Sequence, residues 1–187
     1  LARRMPTIMP GMDVEESIEI SKIYSVSGLL TEKEPLVKIR PFRAPHHTVS
    51  VQALTGGGRR PKPGEISLAT GGILFLDELP EFSRAALETL RQPLEDREVT
   101  VSRVEATVTY PANFQLVAAM NPCPCGHFPD LARCRCTEGQ ITRYLQKISG
   151  PLLDRIDLCV EASPVTYGDV RGGGENEASG AIRARVE

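Results

Sequence analysis

Long apolar runs are absent from this 187-residue sequence, and so are internal repeats and low-complexity stretches. No run approaches the roughly 20 apolar residues of a membrane-spanning helix, so we expect no membrane partner. The first residues, Leu-Ala-Arg-Arg-Met-Pro, are basic, but no apolar stretch follows them, which argues against a secretory signal. Without such a signal, the five cysteines predict a reducing, cytoplasmic location, where paired cysteines bind metal more often than they form disulfides.

The sequence also lacks a large excess of charge of either sign. Its formal net charge is −2, which does not by itself indicate a nucleic-acid partner. Hydrophobic residues make up 41% and charged residues 25%, as in ordinary globular domains, and the length suffices for one domain with an appendage. No Met stands at position 1, and we expect the chain to be a piece of a longer protein.

Two segments carry the signals of helices. The first is predicted over 13–27, with Asp13 as its N-cap and Gly28 as its stop. The second is predicted over 83–95, with leucines on one face and a disturbance near Pro93.

Three short apolar segments predict strands that are buried in a sheet. They cover 73–76, 114–119 and 157–161, and the last would place Cys159 in the core. Helices that alternate with short buried strands predict an α/β fold, a three-layer αβα arrangement around a mostly parallel sheet.

Two adjacent acids, Asp77 and Glu78, come directly after the predicted strand 73–76. A parallel strand that ends in two acids places carboxylates at the C-terminal edge of the sheet, where such sheets bind ligands. The alternative is an ordinary solvated strand end. The segment 71–78 resembles a Walker B motif, in which the first acid helps to hold Mg²⁺ and the second polarises the attacking water.

Asn121 follows the predicted strand 114–119 and precedes Pro122. An Asn in this position is often only a turn residue. Its place after the strand that follows the acid pair resembles the sensor 1 position, at which a polar side chain contacts the γ-phosphate or orients water.

Arg155 lies in the segment Leu-Leu-Asp-Arg-Ile-Asp, 152–157. This segment is similar to an arginine-finger box, in which Arg reaches the nucleotide of the neighbouring subunit and neutralises charge on phosphate oxygens. A surface charge cluster with Asp154 and Asp157 is the alternative.

Together with Arg-Pro-Phe-Arg-Ala-Pro-His-His-Thr (40–48) and Asn-Pro-Cys-Pro-Cys-Gly (121–126), these segments resemble the ComM branch of the magnesium chelatase-like AAA+ ATPases. The resemblance covers nearly the whole chain. It implies ATP with Mg²⁺, hexameric rings of the intact protein, and DNA helicase or branch-migration activity. A chelatase-type motor that helps to insert Mg²⁺ into a porphyrin, and a non-enzymatic oligomerisation fragment, are the alternatives.

The resemblance also implies a division of the chain. An AAA+ core would span 1–162, and a linker with the beginning of a helical lid would span 163–187. Within the core, it implies a helix-2 insert over about 35–70, a pre-sensor 1 β-hairpin over about 98–110 and a Cys-rich loop over 122–137.

Basic residues concentrate ahead of the acid pair. Between Lys38 and Lys62 there are six of them, with His46 and His47 and no acid. Positive groups on the insert and the hairpin would bind a phosphodiester backbone without reading sequence. A solvated basic loop that serves subunit contacts is the alternative, and for the two histidines structural or phosphate-contacting roles are favoured over metal binding. The predicted DNA-binding residues are Arg40, Arg43, Arg59, Arg60, Lys62 and Arg103.

Four of the cysteines form two close pairs, Cys123 with Cys125 and Cys134 with Cys136. Four thiolates can form a closed tetrahedral Zn²⁺ site, although this spacing is tighter than the common one. Four free thiols, or disulfides in an oxidised preparation, are the alternatives, and His127 is a weaker substitute ligand.

The string G-x-x-x-x-G-K-[ST], which cradles phosphates in working members of such families, does not occur in the chain. The Gly-rich, basic segment 56–60 does not match it. Because the opening residues resemble those just downstream of the phosphate loop, we expect that loop to precede Leu1. We therefore expect the chain alone to hydrolyse ATP negligibly.

Overall fold

A computed structural model describes residues 1–103, 106–162 and 177–187. The predicted linker and most of the connection to the lid, 163–176, lie outside the described residues, as do residues 104–105 of the predicted hairpin turn. No helix among the described residues is both long and apolar enough to cross a lipid bilayer.

A parallel three-stranded sheet stands at the centre of the fold. Its strands are β1 (Phe42–Arg43), β4 (Ile73–Leu76) and β7 (Gln115–Ala118), in the order β1-β4-β7, so β4 is paired on both sides. That position explains the continuous apolar run of β4, in which Ile73, Leu74 and Leu76 are fully buried. A parallel sheet flanked by helices confirms the predicted α/β class.

The first predicted helix is confirmed. It is α1 (Val14–Val26), and Asp13 caps it by accepting a hydrogen bond from the Glu16 backbone N–H, 2.8 Å away. The Glu16 side chain in turn accepts from the Asp13 N–H, which completes a capping box. Gly28 has a φ of 73°, a conformation that favours glycine and ends the helix.

The second predicted helix is instead two short ones, α4 (Arg84–Glu88) and α5 (Arg91–Asp96). Ser83 caps α4, because its hydroxyl oxygen accepts a hydrogen bond from the Ala86 backbone N–H. Pro93 has no N–H to donate to the carbonyl of Thr89, and its ring would crowd that carbonyl, so the chain turns between the two helices. The remaining helices are α2 (Val51–Thr55), α3 (Glu65–Leu68), α6 (Glu138–Leu145), α7 (Gly150–Leu153) and α8 (Ser179–Val186).

Two antiparallel hairpins pack beside the central sheet. The predicted one is confirmed as β5 (Glu98–Ser102) paired with β6 (Thr107–Pro111), and it buries Val99, Val101 and Tyr110 on one face. The other, which has no period-two signal, pairs β2 (Gly56–Gly57) with β3 (Lys62–Pro63) inside the predicted insert.

The prediction of a strand over 157–161 is wrong. The structure places no strand there, Leu158 and Val160 are 84% and 88% exposed, and Cys159 is exposed instead of lying in the core. Alternating apolar residues form a strand only where a neighbouring strand supplies hydrogen-bond partners, and no described strand pairs with this segment. The strand β7 is only half-buried at Leu116 and Val117, less than its apolar character predicts.

We expect Gly72→Ala to destabilise the protein, because Gly72 lets β1 approach β4. A Cβ at this position would lie 2.0 Å from the carbonyl oxygen of Pro41, the atom that accepts the Ile73 N–H. Overpacking against a backbone of this kind costs on the order of 1–3 kcal/mol of unfolding free energy, measured by urea titration. Gly139→Ala, where a Cβ meets nothing within 4 Å, is the control. Equal stabilities of the two variants would contradict the close approach.

Candidate active site

The acid pair Asp77–Glu78 and Asn121 lie at the same edge of the central sheet. The strands that precede them are neighbours in register, with Leu76 opposite Ala118. Beyond the strands, the Ala119 N–H donates to the Leu76 carbonyl and the Leu79 N–H donates to the Ala119 carbonyl, both at 2.9 Å. These two hydrogen bonds bracket the acid pair and tie it to the segment that leads to Asn121.

Glu78 adopts a left-handed backbone conformation, with φ 54° and ψ 47°. For a residue other than glycine this costs about 1–2 kcal/mol. Its N–H donates to Asp77 Oδ1 at 3.0 Å, and both acids are exposed. Backbone strain of this kind often marks a functional position, and two exposed carboxylates with a nearby amide form an oxygen-rich set that suits Mg²⁺.

His47 also lies at this edge of the sheet, a position that the sequence did not predict. Its Nδ1 lies 3.2 Å from Glu78 Oε2, and its ring packs against those of His46 and Phe82, at centroid distances of 4.0 and 6.4 Å. His47 reaches Glu78 because it follows β1, which pairs with β4 in parallel. A strand of two residues leaves no periodic signal, so only the topology could have located this contact.

Asn121 is held between the sheet and the Cys-rich loop. Burial raises the pKa of the nearby Tyr144 hydroxyl, and the Asn121 backbone partly offsets that rise. A Cβ at Gly126 would lie 3.8 Å from Asn121 Cγ, so the loop passes directly beside the amide. The Cys-rich loop therefore supports the position of Asn121.

The four paired cysteines converge on one point. Their sulfur atoms all lie within 4.8 Å of one another, with Cys123–Cys125 at 3.4 Å and Cys134 at 3.8 and 3.7 Å from those two. A tetrahedral site with Zn–S bonds of about 2.3 Å has sulfur–sulfur separations of about 3.8 Å. The cluster thus has the donor set and nearly the spacing of a structural zinc site, and no disulfide is formed among the described cysteines.

The four thiols differ sharply in acidity. Hydrogen bonds from the backbones of Arg135 and His127 lower the pKa of Cys125 to about 6, whereas burial first, and then neighbouring sulfurs, raise that of Cys136 to about 12. Four thiolates this close repel one another, so full ionisation needs a cation among them.

Arg155 lies just after α7, where its guanidinium has partners within the chain. Nη2 pairs with the carboxylate of Glu95, and Nη1 donates to the Pro151 carbonyl at 2.6 Å. The hydrogen bond and charge of Arg155 lower the pKa of Glu95. The partner is thus on α5, not among the adjacent acids that the sequence offered as the alternative.

Two of the predicted DNA-binding arginines pair with carboxylates inside the fold. Arg40 donates to the Pro10, Gly11 and Gly71 carbonyls and to the Glu16 carboxylate, and its side chain is 11% exposed. Arg43 makes two hydrogen bonds to Glu65, at 2.6 and 2.7 Å. Their charges are neutralised where they lie, which argues against direct DNA contact for these two.

The other four predicted cations are exposed on the two hairpins. The two hairpins pack side by side: a Cβ at Gly57 would lie 2.7 Å from Arg103 Nη2, and the Tyr110 hydroxyl of β6 donates to the Pro61 carbonyl at 2.8 Å. The β2–β3 and β5–β6 hairpins therefore share one face. We call it the hairpin surface; it comprises Arg59, Arg60, Lys62 and Arg103.

A parallel sheet with an acid pair after one strand and Asn after the next is the arrangement of a P-loop NTPase core. Comparison with known proteins agrees with this class. Residues 1–170 match the family described as "Magnesium chelatase, subunit ChlI". The chain belongs to this magnesium chelatase-like family of AAA+ proteins.

Curated relatives in this family match much or all of the chain. Competence protein ComM of Haemophilus influenzae is 49% identical over 190 residues, covering 100% of this chain and 36% of that protein. The uncharacterized protein YifB of Escherichia coli is 50% identical over 161 residues, covering 86% and 31%. The magnesium-chelatase 38 kDa subunit of Chlorobaculum parvum is 25% identical over 122 residues, covering 62% and 35%. The chain thus spans about a third of the length of each.

Proposed function

We propose that the intact protein is a cytoplasmic AAA+ motor in which ATP hydrolysis drives movement along DNA, with helicase or branch-migration activity. The proposal depends on one observation: the acid pair and Asn121 lie together at one edge of the central sheet. The chain is 49% identical to ComM but only 25% identical to the magnesium-chelatase subunit. This difference favours an activity on DNA over a role in porphyrin chelation. The free thiols of the described cysteines fit a reducing compartment.

Asp77, Glu78, Asn121 and Arg155 each have a separate role in this proposal. Asp77 would hold Mg²⁺, and the ion would supply charge neutralisation at the phosphate oxygens. Glu78 orients and polarises the attacking water, and Asn121 donates to the γ-phosphate or that water. In a hexameric ring, Arg155 serves the nucleotide of the adjacent subunit.

The hairpin surface is the proposed DNA contact. Its four cations are exposed on two hairpins that pack together, and a cleft of about 350 Å³ opens beside them, lined by glycines 56–58 and Lys62. Small residues allow a phosphate backbone to come close, and cations that contact phosphates alone bind it independently of sequence.

We also propose that the four-cysteine cluster binds structural Zn²⁺. The ion would hold Cys123, Cys125, Cys134 and Cys136 together and so fix the loop that passes beside Asn121. Zinc would take no part in hydrolysis.

In the intact protein, Glu78→Gln is expected to lower ATP turnover with Mg²⁺ by at least about 100-fold, because the amide cannot accept a proton from water. Phosphate release measured with malachite green checks this, and nucleotide binding should persist. Glu81→Gln, which changes a nearby exposed acid paired with Lys147, is the control. Equal turnover of the two variants would contradict the assignment of Glu78. Phosphate release by the 187-residue chain alone that Glu78→Gln abolishes would instead contradict the expectation that this chain by itself is inactive.

The double variant Arg59→Ala with Arg60→Ala is expected to weaken binding of single-stranded DNA by the intact protein. The slope of log affinity against log salt should fall by about 0.7 for each phosphate that the variant no longer neutralises. Fluorescence anisotropy over a salt series measures both. Lys22→Ala with Lys33→Ala, which changes the net charge equally at exposed sites outside the hairpins, should bind as the unchanged protein does. Identical slopes for both double variants would count against the hairpin surface.

Purified protein is expected to contain one zinc ion per chain, measured by plasma mass spectrometry. Serine in place of Cys123 should abolish the zinc content, because three thiolates do not close the tetrahedron. Serine in place of Cys159, which is exposed and outside the cluster, should leave it unchanged. Zinc-free protein whose four clustered thiols alkylate as fast as Cys159 would contradict the site.

A further inference from the structure

Arg155, the residue proposed to act on a neighbouring subunit, is restrained within its own chain. The Glu95 carboxylate neutralises the charge of the Arg155 guanidinium, and the Pro151 carbonyl accepts a hydrogen bond from Nη1. The Arg155 Nε is buried and has no hydrogen-bond partner among the described residues. Its side chain is 26% exposed and that of Glu95 is 64% exposed. An ion pair this open to solvent is weak, and a phosphate can replace its carboxylate.

Glu95 is at the same time close in sequence to the DNA-facing hairpin. It belongs to the last turn of α5, and only Asp96 and Arg97 separate it from β5. Arg97 has a left-handed φ of 58°, and its carbonyl accepts the Ala112 N–H at 2.7 Å just beyond β6. The end of α5 is thereby fixed to both strands of the hairpin.

The hairpin, α5 and α7 also share one core. Leu152 of α7 and Leu90, which precedes α5, are fully buried in the cluster that contains Val99 and Val101 of β5. A displacement of the hairpin would therefore be transmitted to α5, which carries Glu95. The contacts form a continuous path from Arg103 on the hairpin surface, along the two strands, to the Glu95–Arg155 pair.

We propose that Glu95 is a positioning residue that restrains Arg155 in the absence of DNA and releases it when DNA displaces the β5–β6 hairpin. This inference rests on the proposed function of the hairpin and of Arg155. An Arg155 guanidinium that is bound to Glu95 has fewer N–H donors left for phosphate oxygens. Hydrolysis in the ring therefore requires that a phosphate replace the Glu95 carboxylate as the partner of Arg155. The pair thus couples occupancy of the hairpin surface to completion of the neighbouring site.

The first test follows the accessibility of Arg155 and needs no nucleotide. Intact protein is treated with phenylglyoxal, which modifies accessible arginines, and the rate at Arg155 is read by mass spectrometry with exposed Arg84 as internal reference. Oligo(dT) is expected to raise the rate at Arg155 severalfold. In Glu95→Gln the rate should be high without DNA and no longer respond to it. Asp96→Asn, an adjacent acid with no described partner, should behave as the unchanged protein does.

The second readout is the ratio of ATP turnover with and without oligo(dT). Glu95→Gln is expected to raise DNA-independent turnover and bring the ratio towards one, whereas Glu95→Asp, which keeps the carboxylate, should restore much of it. A Glu95→Gln protein whose Arg155 labelling still responds to DNA, as in Asp96→Asn, would overturn the inference. A labelling response that depends on Glu95 supports it even if no ATP is hydrolysed, an outcome that would instead contradict the proposed motor function.

Discussion

The parallel pairing of β4 with β7 is the constraint on which the candidate site depends. Each strand brings one polar element to the edge, and the two hydrogen bonds between the Leu76, Leu79 and Ala119 backbones continue the pairing beyond the strands. A slip in this register would carry Asn121 away from the acid pair by about 3.3 Å per residue. The burial of Ile73, Leu74 and Leu76 in β4 opposes such a slip, so the packing of the core fixes the arrangement of residues at the edge.

Local signals in the sequence were sufficient where an element is defined by its own residues. The N-cap at Asp13, the apolar run of β4 and the alternation in the β5–β6 hairpin each occur within a few residues and were predicted. Elements defined by their neighbours were not. The two-residue strand β1 exists only because β4 pairs with it, while segment 157–161 has the composition of a strand but no described partner.

The same distinction applies to the site. Parallel strands end at one edge, so the meeting of the acid pair with Asn121 could be predicted from chain order. The contacts of Glu78 with His47 and of Arg155 with Glu95 join residues 31 and 60 positions apart, outside any periodic pattern. Basic composition likewise could not distinguish Arg40, used within the fold, from Arg60, which is exposed.

The left-handed backbone at Glu78 lowers the stability of the fold but places a second carboxylate beside Asp77. Glycine would adopt this conformation without the cost of about 1–2 kcal/mol that a side chain incurs there. A sequence optimised only for resistance to unfolding would therefore place glycine after Asp77. The chain carries a carboxylate at that point instead, and the buried strand beneath it provides the stability that this choice gives up.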